Sequence, residues 1–274
     1  MSLSIIIPAC NEAGYIGACL SAVLASVGVQ GAQVIVVANG CTDDTAARAA
    51  SFQAAFEASG WRLDVLDLPA LGKPGALDAG DGAATHANRA YLDADVTVSP
   101  PLLGDIAAAL AVSQPRYASG TPVVTARSAV TRAYARFWVG LPFVAQGVPG
   151  FGLYAVNAGG RARWGTFPAI ISDDTFVRVQ FTPDERVRVA SAYQWPMVEG
   201  FRALVRVRRR QDQGVAELAT LHPAMMANEG KDRPGMLWLL GRLLRDPLAF
   251  ATYAAVSLAV RAGWGRQAGW VRGR

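Results

Sequence analysis

The chain is short of charge, cysteine and histidine, and each shortage closes off a class of protein. Only 17% of its 274 residues are charged while 52% are apolar, which is greasier than an average folded domain and far from a disordered chain. Three cysteines, Cys10, Cys19 and Cys41, stand before residue 42. An odd count without paired spacing supplies neither a disulfide framework nor a zinc site, so reduced thiols in the cytoplasm are expected. The run Ile5-Ile6-Ile7 is short and has no basic stretch before it, so no signal peptide is expected. No apolar run reaches the roughly 18–20 residues that span a bilayer. The net charge of +5 favours anionic partners, but the basic residues cluster late and no aromatic stacking motif interleaves them, which argues against nucleic acid.

What is present is an alternation of short apolar runs and amphipathic segments. Leu3-Ser4-Ile5-Ile6-Ile7-Pro8 reads as a buried strand, and the loop after it opens a helix to about Val27, with Asn11 as a candidate cap. Val34–Val37 makes a second strand ending at Ala38-Asn39-Gly40. A second helix follows, with Thr42 as the expected cap and Asp43 and Asp44 in its first turn. Leu63–Leu66 makes a third strand. The segment from Gly72 is expected to be helical to about Asn88, ahead of a strand carrying Tyr91-Leu92-Asp93-Ala94-Asp95-Val96. Strand alternating with helix predicts a parallel α/β sheet with its working loops at the strands' carboxyl ends.

Asp93 and Asp95 are two apart, which on a strand puts both carboxylates on one face. Two hard oxygen donors suit Mg²⁺ or Mn²⁺, completed by substrate phosphates; the bland reading is two solvated acids at a strand end. A glycine-rich, arginine-containing phosphate loop is lacking, since Pro8-Ala9-Cys10-Asn11-Glu12 stands at that place. That disfavours a nucleotidylyltransferase.

Ile-Ile-Ile-Pro-Ala-Cys-Asn-Glu, Val-Val-Ala-Asn-Gly-Cys-Thr-Asp-Asp-Thr, Gly-Lys-Pro-Gly-Ala-Leu-Asp-Ala-Gly and Leu-Asp-Ala-Asp-Val follow one another in this order. The succession resembles family-2 glycosyltransferases, inverting enzymes of the GT-A fold, strongly over residues 3–100 and more weakly over 145–215. The resemblance implies a Rossmann-like, mixed, mostly parallel sheet flanked by helices. It divides the chain into a nucleotide-binding half (1–100), an acceptor-binding half (101–220) and a C-terminal apolar helical appendage (221–274).

By that resemblance, Pro8, Ala9, Asn11 and Glu12 line the base and ribose, and Lys73 approaches the base or diphosphate. Asp93 and Ala94 contact the nucleotide, and Asp95 with Asp93 holds the metal. Asn39 stands where relatives carry an acid that reads the base edge; an amide offers both donor and acceptor. The implied donor is a nucleotide-diphosphate sugar, a UDP-sugar favoured. Within Ile170-Ile171-Ser172-Asp173-Asp174-Thr175, the resemblance makes Asp174 the base and Asp173 an acceptor contact or orienting group. Read locally, Ser172 caps a helix with an acidic first turn, and both readings can hold together.

The glycines of 147–152 are expected to let backbone approach a sugar. The loop 158–165 is a candidate gate, and Trp164 is a stacking platform or an interior residue. Arg202, Arg206, Arg209 and Arg210 share a helical face that suits a diphosphate or an anionic acceptor, or is merely solvated. The segment lacks the Gln-x-x-Arg-Trp motif of processive relatives, which favours transfer of one sugar. His222 is a candidate third metal ligand.

Beyond it, apolar runs carry Trp238, Trp264 and Trp270 among Arg242, Arg245, Arg261, Arg266, Arg272 and Arg274. That pattern fits helices at a membrane interface, or a helical pair packed on protein. Membrane contact at the inner face, with a glycan or lipid-linked acceptor, follows as an expectation. The alternative to an enzyme is a membrane-associated scaffold that retains a nucleotide-sugar fold.

Overall fold

The structure, a computed structural model, describes residues 2–231 and 234–264. Four strands begin the chain, β1 (Leu3–Ala9), β2 (Gln33–Asn39), β3 (Arg62–Leu68) and β4 (Asn88–Leu92). Between them run α1 (Ile16–Leu24), α2 (Thr45–Ala50), α3 (Gln53–Ala58) and α4 (Gly72–Ala83). Next come β5 (Thr97–Val98), α5 (Leu102–Ala109), β6 (Tyr117–Thr125), α6 (Ala129–Trp138), α7 (Pro142–Ala145) and β7 (Leu153–Val156). The chain continues through α8 (Ala158–Arg161), α9 (Asp173–Arg178), β8 (Arg186–Pro196), α10 (Phe201–Leu221), α11 (Met236–Arg245) and α12 (Pro247–Arg261).

The strands form one mixed sheet in the order β3-β2-β1-β4-β7-β6-β8-β5. β1 is parallel to both β2 and β4, and β2 to β3, while β7 runs antiparallel to β4 and β6. β2 is buried at every position, and β1 at all but Pro8, so residues 5–7 and 34–38 are unbroken apolar runs, as expected for strands covered on both faces. Ile5, Ile7, Val34 and Val36 pack with Ile16, Leu20 and Val23 of α1 and with Leu102 and Ile106 of α5. α6 ends near Phe137, which stacks on Tyr253 of α12 and meets Trp238 of α11 edge-on.

The chain divides into two compact units. One comprises residues through Val123 with Gly150–Ala169 and Asp173–Trp195, and contains nearly all of the sheet. The other comprises Val124–Pro149, Ile170–Ser172 and the chain from Pro196 on, and contains α6, α7 and α10 to α12.

Several expected boundaries move. α1 stops at Leu24 because the chain turns to bond with the segment ahead of α5, Val27 N–H donating to Pro100 O at 2.8 Å. α4 stops at Ala83, since Asn88 is already paired beside Leu3 in the sheet. Asn11 does not cap α1: it adopts a left-handed φ of 56° and its carboxamide oxygen accepts from Thr42 N at 2.7 Å. Thr42 therefore does not cap α2, which starts at Thr45. Asp43 receives the Thr45 backbone N–H from just outside that helix at 3.0 Å.

The C-terminal helices are less uniformly apolar than an appendage built to be buried. Asp246 pairs with Arg136, and Leu237 and Leu244 face solvent. No helix among the described residues is long and apolar enough to cross a membrane. Trp270, Arg266, Arg272 and Arg274 lie outside the described residues.

Candidate active site

Two groups of loops gather at the carboxyl ends of the parallel strands. The first joins β1 and β2. Pro8 and Ala9 are the last residues of β1, in register with Val37 and Ala38. Beyond them Glu12 N–H donates to Thr45 Oγ1 at 2.8 Å, Ala13 N–H to Asp43 Oδ2 at 3.2 Å, and Cys41 Sγ to Ala9 O at 3.5 Å. Asn11 is exposed and Glu12 half-buried. Cys41 and Thr45 carry no mark of this role in the sequence, because nothing in its spacing shows which loops close on one another. The cysteines are free, as expected.

The second group is charged. β4 ends at Leu92, so Asp93, Ala94 and Asp95 lie in a turn rather than on the strand. Asp93 N–H donates to Gly152 O at 2.9 Å and Val96 N–H returns to Asp93 O at 3.1 Å. The same-face argument for the two acids therefore does not apply; the turn sets their directions. Ala94 is buried between the half-buried acids.

Lys73, in the first turn of α4, reaches across to Asp93. Its Nζ lies 3.0 Å from Asp93 Oδ1 and 3.2 Å from Asp173 Oδ2 at the start of α9. Tyr154 of β7 donates a long bond of 3.5 Å to the same Asp173 oxygen. Asp173 is 5% exposed, whereas Asp174 is half-buried and its Oδ1 takes Thr175 N–H at 2.6 Å. Both acids lie in the first turn of α9, as the local reading anticipated, where the exposed backbone N–H groups favour negative charge.

The electrostatics follow from burial and proximity. Burial pushes the Asp173 carboxyl up to about 6, Lys73 pulls it back, and Asp174 and Asp93 add to the rise. Burial works against the Lys73 ammonium, but Asp173, Asp93 and Asp174 outweigh it and hold the lysine above its ordinary value. The Cys19 thiol is pushed up to about 12 by burial and by Asp93, so it is inert beside the site.

Other candidates resolve differently. Asn39 is buried with its carboxamide bonded to the backbone ahead of Lys73. Trp164 is interior, with the Arg161 guanidinium over its ring at 4.7 Å. Gly150 and Gly152 both have positive φ, and their missing side chains make room for protein: a Cβ would fall 1.7 Å from Tyr117 Oη at Gly150 and 2.6 Å from Trp195 at Gly152. The expected gate contains α8, capped by the Asn157 side chain, which accepts Gly160 N–H at 2.9 Å.

On α10, Arg208 bonds Asp212 and Tyr253 while Arg209 donates to Trp264 O. These two arginines are thus engaged with their own unit. His222 ends α10. Among the described residues no group of three or more His, Cys, Asp or Glu is placed to hold a metal.

Comparison with known proteins gives a consistent result. The family model described as glycosyl transferase family 2 matches residues 4–162. The fold is similar to a mannosyltransferase from Pyrobaculum calidifontis solved with GDP-Man and Mn²⁺, at a TM-score of 0.62 and 19% identity, over 97% of this chain and 76% of that one. It is also similar to S. aureus TarS 1-349 solved with UDP, at a TM-score of 0.54 and 13% identity, over 100% and 95% of the two chains. Glucosyl-3-phosphoglycerate synthase from Mycobacterium tuberculosis, solved with Mn²⁺, UDP and glucosyl-3-phosphoglycerate, gives 0.54 and 18%, over 80% and 79%. No curated protein sequence matches.

Proposed function

The chain belongs to glycosyl transferase family 2 and is a glycosyltransferase of the GT-A fold, and we propose that it moves one sugar from a nucleoside-diphosphate donor to an acceptor hydroxyl with inversion. The observation that carries the reading is the Lys73 bridge. One ammonium joins the acid turn after β4 to the acid pair that opens α9, so the groups suited to the leaving diphosphate and those suited to the acceptor belong to one electrostatic cluster.

In this proposal the acceptor hydroxyl attacks the anomeric carbon opposite the diphosphate, and Asp174 takes its proton as the C–O bond to the diphosphate breaks. Asp174 suits that part because it is half-exposed, whereas Asp173 is enclosed by Lys73 and Tyr154 and orients the pair. Lys73 meets the departing negative charge. Pro8, Ala9, Asn11 and Glu12 are assigned to the base and ribose, and Ala94 to the nucleotide.

A divalent cation fits the residues present. Asp93 and Asp95 offer hard oxygens in one turn, and such an ion is held by one or two carboxylates and completed by the donor's phosphates. Mg²⁺ or Mn²⁺ held there would supply Lewis-acid stabilisation of the diphosphate. A UDP-sugar remains the favoured donor. A glycan or lipid-linked acceptor at the inner face of the membrane is supported by α11, where Leu237 and Leu244 are 86% and 83% exposed on a helix ending in Arg242 and Arg245.

Asp174→Asn tests the assignment. Calorimetry with UDP and Mn²⁺ is expected to give unchanged affinity, while sugar transfer falls by about 10³-fold, the middle of the range for loss of a general base. Transfer at the unsubstituted rate would remove Asp174 as the base.

A further inference from the structure

Asn39 stands at the carboxyl end of β2, where the resemblance to relatives makes it a reader of the nucleobase, but its carboxamide is committed elsewhere. Oδ1 accepts Leu71 N–H at 2.6 Å and Nδ2 donates to Gly72 O at 2.9 Å. The residue is 6% exposed. Because one partner is a donor and the other an acceptor, the pairing fixes which way the amide points.

Both bonds land on the two residues immediately ahead of Lys73. The same joint is closed from Gly40, whose N–H donates to Leu68 O at 2.8 Å and where a Cβ would come within 2.7 Å of the Ala70 side chain. Gly72 turns the chain into α4 with a φ of +73°. One residue later the Lys73 ammonium meets Asp93 and Asp173. An aspartate here would keep the bond from Leu71 but set a carboxylate against the Gly72 carbonyl. The site therefore asks for an amide on grounds unrelated to any base.

We propose that Asn39 is a positioning residue, which clamps the 70–72 turn so that Lys73 stands between Asp93 and Asp173, and that selection among nucleobases does not pass through its side chain. The proposal rests on the transferase reading above.

The test is a double-mutant cycle on the full chain with Asn39→Ala, Lys73→Met and the pair, and with Asn39→Asp as the near-isosteric variant that keeps the Leu71 bond but sets a carboxylate against Gly72 O. Two readouts are needed: affinities for UDP, GDP and dTDP by calorimetry with Mn²⁺, and turnover of the preferred sugar donor. Asn39→Ala is expected to lower kcat by about 10- to 100-fold, the scale of a small misplacement of a working group, with the ranking of the three nucleotides unchanged. In the Lys73→Met background the same substitution should cost no more than about twofold, because the two changes remove one interaction. Asn39→Asp, which turns the Gly72 bond into a repulsion, should lower kcat at least as much as Asn39→Ala.

A changed nucleotide ranking in either Asn39 variant, or effects of Asn39→Ala and Lys73→Met that multiply, would overturn the proposal while leaving the transferase reading intact. Wild-type protein that binds none of the three nucleotides would overturn both.

Discussion

The two loop groups above the parallel strands reach order by opposite means. Between β1 and β2 the contacts run mainly between backbone and short side chains of Asn11, Cys41, Thr42, Asp43 and Thr45, with Asp43 the one charged side chain among these five. Beside β4 and α9, one lysine faces three carboxylates, Asp93, Asp173 and Asp174. The first arrangement is satisfied as it stands and fixes a shape. The second carries an excess of negative charge that a divalent cation would balance, and burying such charge is costly without partners. We therefore assign rigidity to the first group and chemistry to the second.

Substitutions can break that contrast. The largest expected effect is Asp95→Asn in the charged group: turnover is abolished and the Mn²⁺-dependent part of nucleotide affinity disappears, while the melting temperature stays near wild type. Donor hydrolysis with and without Mn²⁺ checks this, and residual metal-dependent turnover would assign the ion to other ligands.

Thr45→Val should do the reverse. The Thr45 hydroxyl accepts Glu12 N–H and donates to Asp43, and the residue is fully buried. Its loss should cost on the order of 2 kcal/mol in urea unfolding, with kcat changed by less than about threefold, a shift too small for a lost transition-state contact. A large loss of kcat at full stability would refute the division of labour.

Asp173→Asn sharpens the comparison through pH. The folded-state carboxyl is raised by burial to about 6 from an ordinary value of 3.8, so the native state holds this proton more tightly than the unfolded chain. Its contribution to stability is fully present below the unfolded value and is lost as pH rises through about 6. Urea midpoints between about pH 4 and pH 7 should therefore fall less steeply in Asp173→Asn than in wild type, and an unchanged slope would mean that the Lys73 contact cancels the burial.

The smallest effect is expected outside both groups. Leu237→Ser with Leu244→Ser alters two exposed side chains of α11. Stability should change by less than about 0.5 kcal/mol, while cosedimentation with vesicles of anionic phospholipid should drop. Vesicle binding that is unaffected would separate α11 from any membrane contact.

The parallel half of the sheet was legible because strands covered on both faces must be apolar throughout, and Ile5-Ile6-Ile7 and Val34–Val37 are. The acid pair opening α9 was legible for a similar reason, since local charge and a helix start leave their mark on adjacent residues. Asp93 and Asp95 are proposed as metal ligands on residue type alone, since the same-face argument fails for two acids in a turn just past the strand. Asn11 and Thr42 looked like caps because each precedes a helix, yet each bonds to the other across 31 positions, which local patterns do not record.

The order of residues alone determined the strand–helix alternation, the buried apolar strands and the acidic start of α9, because these depend on neighbours a few positions away. Tertiary structure decided that Lys73 joins Asp93 to Asp173, that Asn39 spends its amide on the 71–72 backbone, and that Gly150 yields its space to Tyr117. Those contacts depend on where distant segments cross, and a side chain's partner there is set by the three-dimensional path of the backbone.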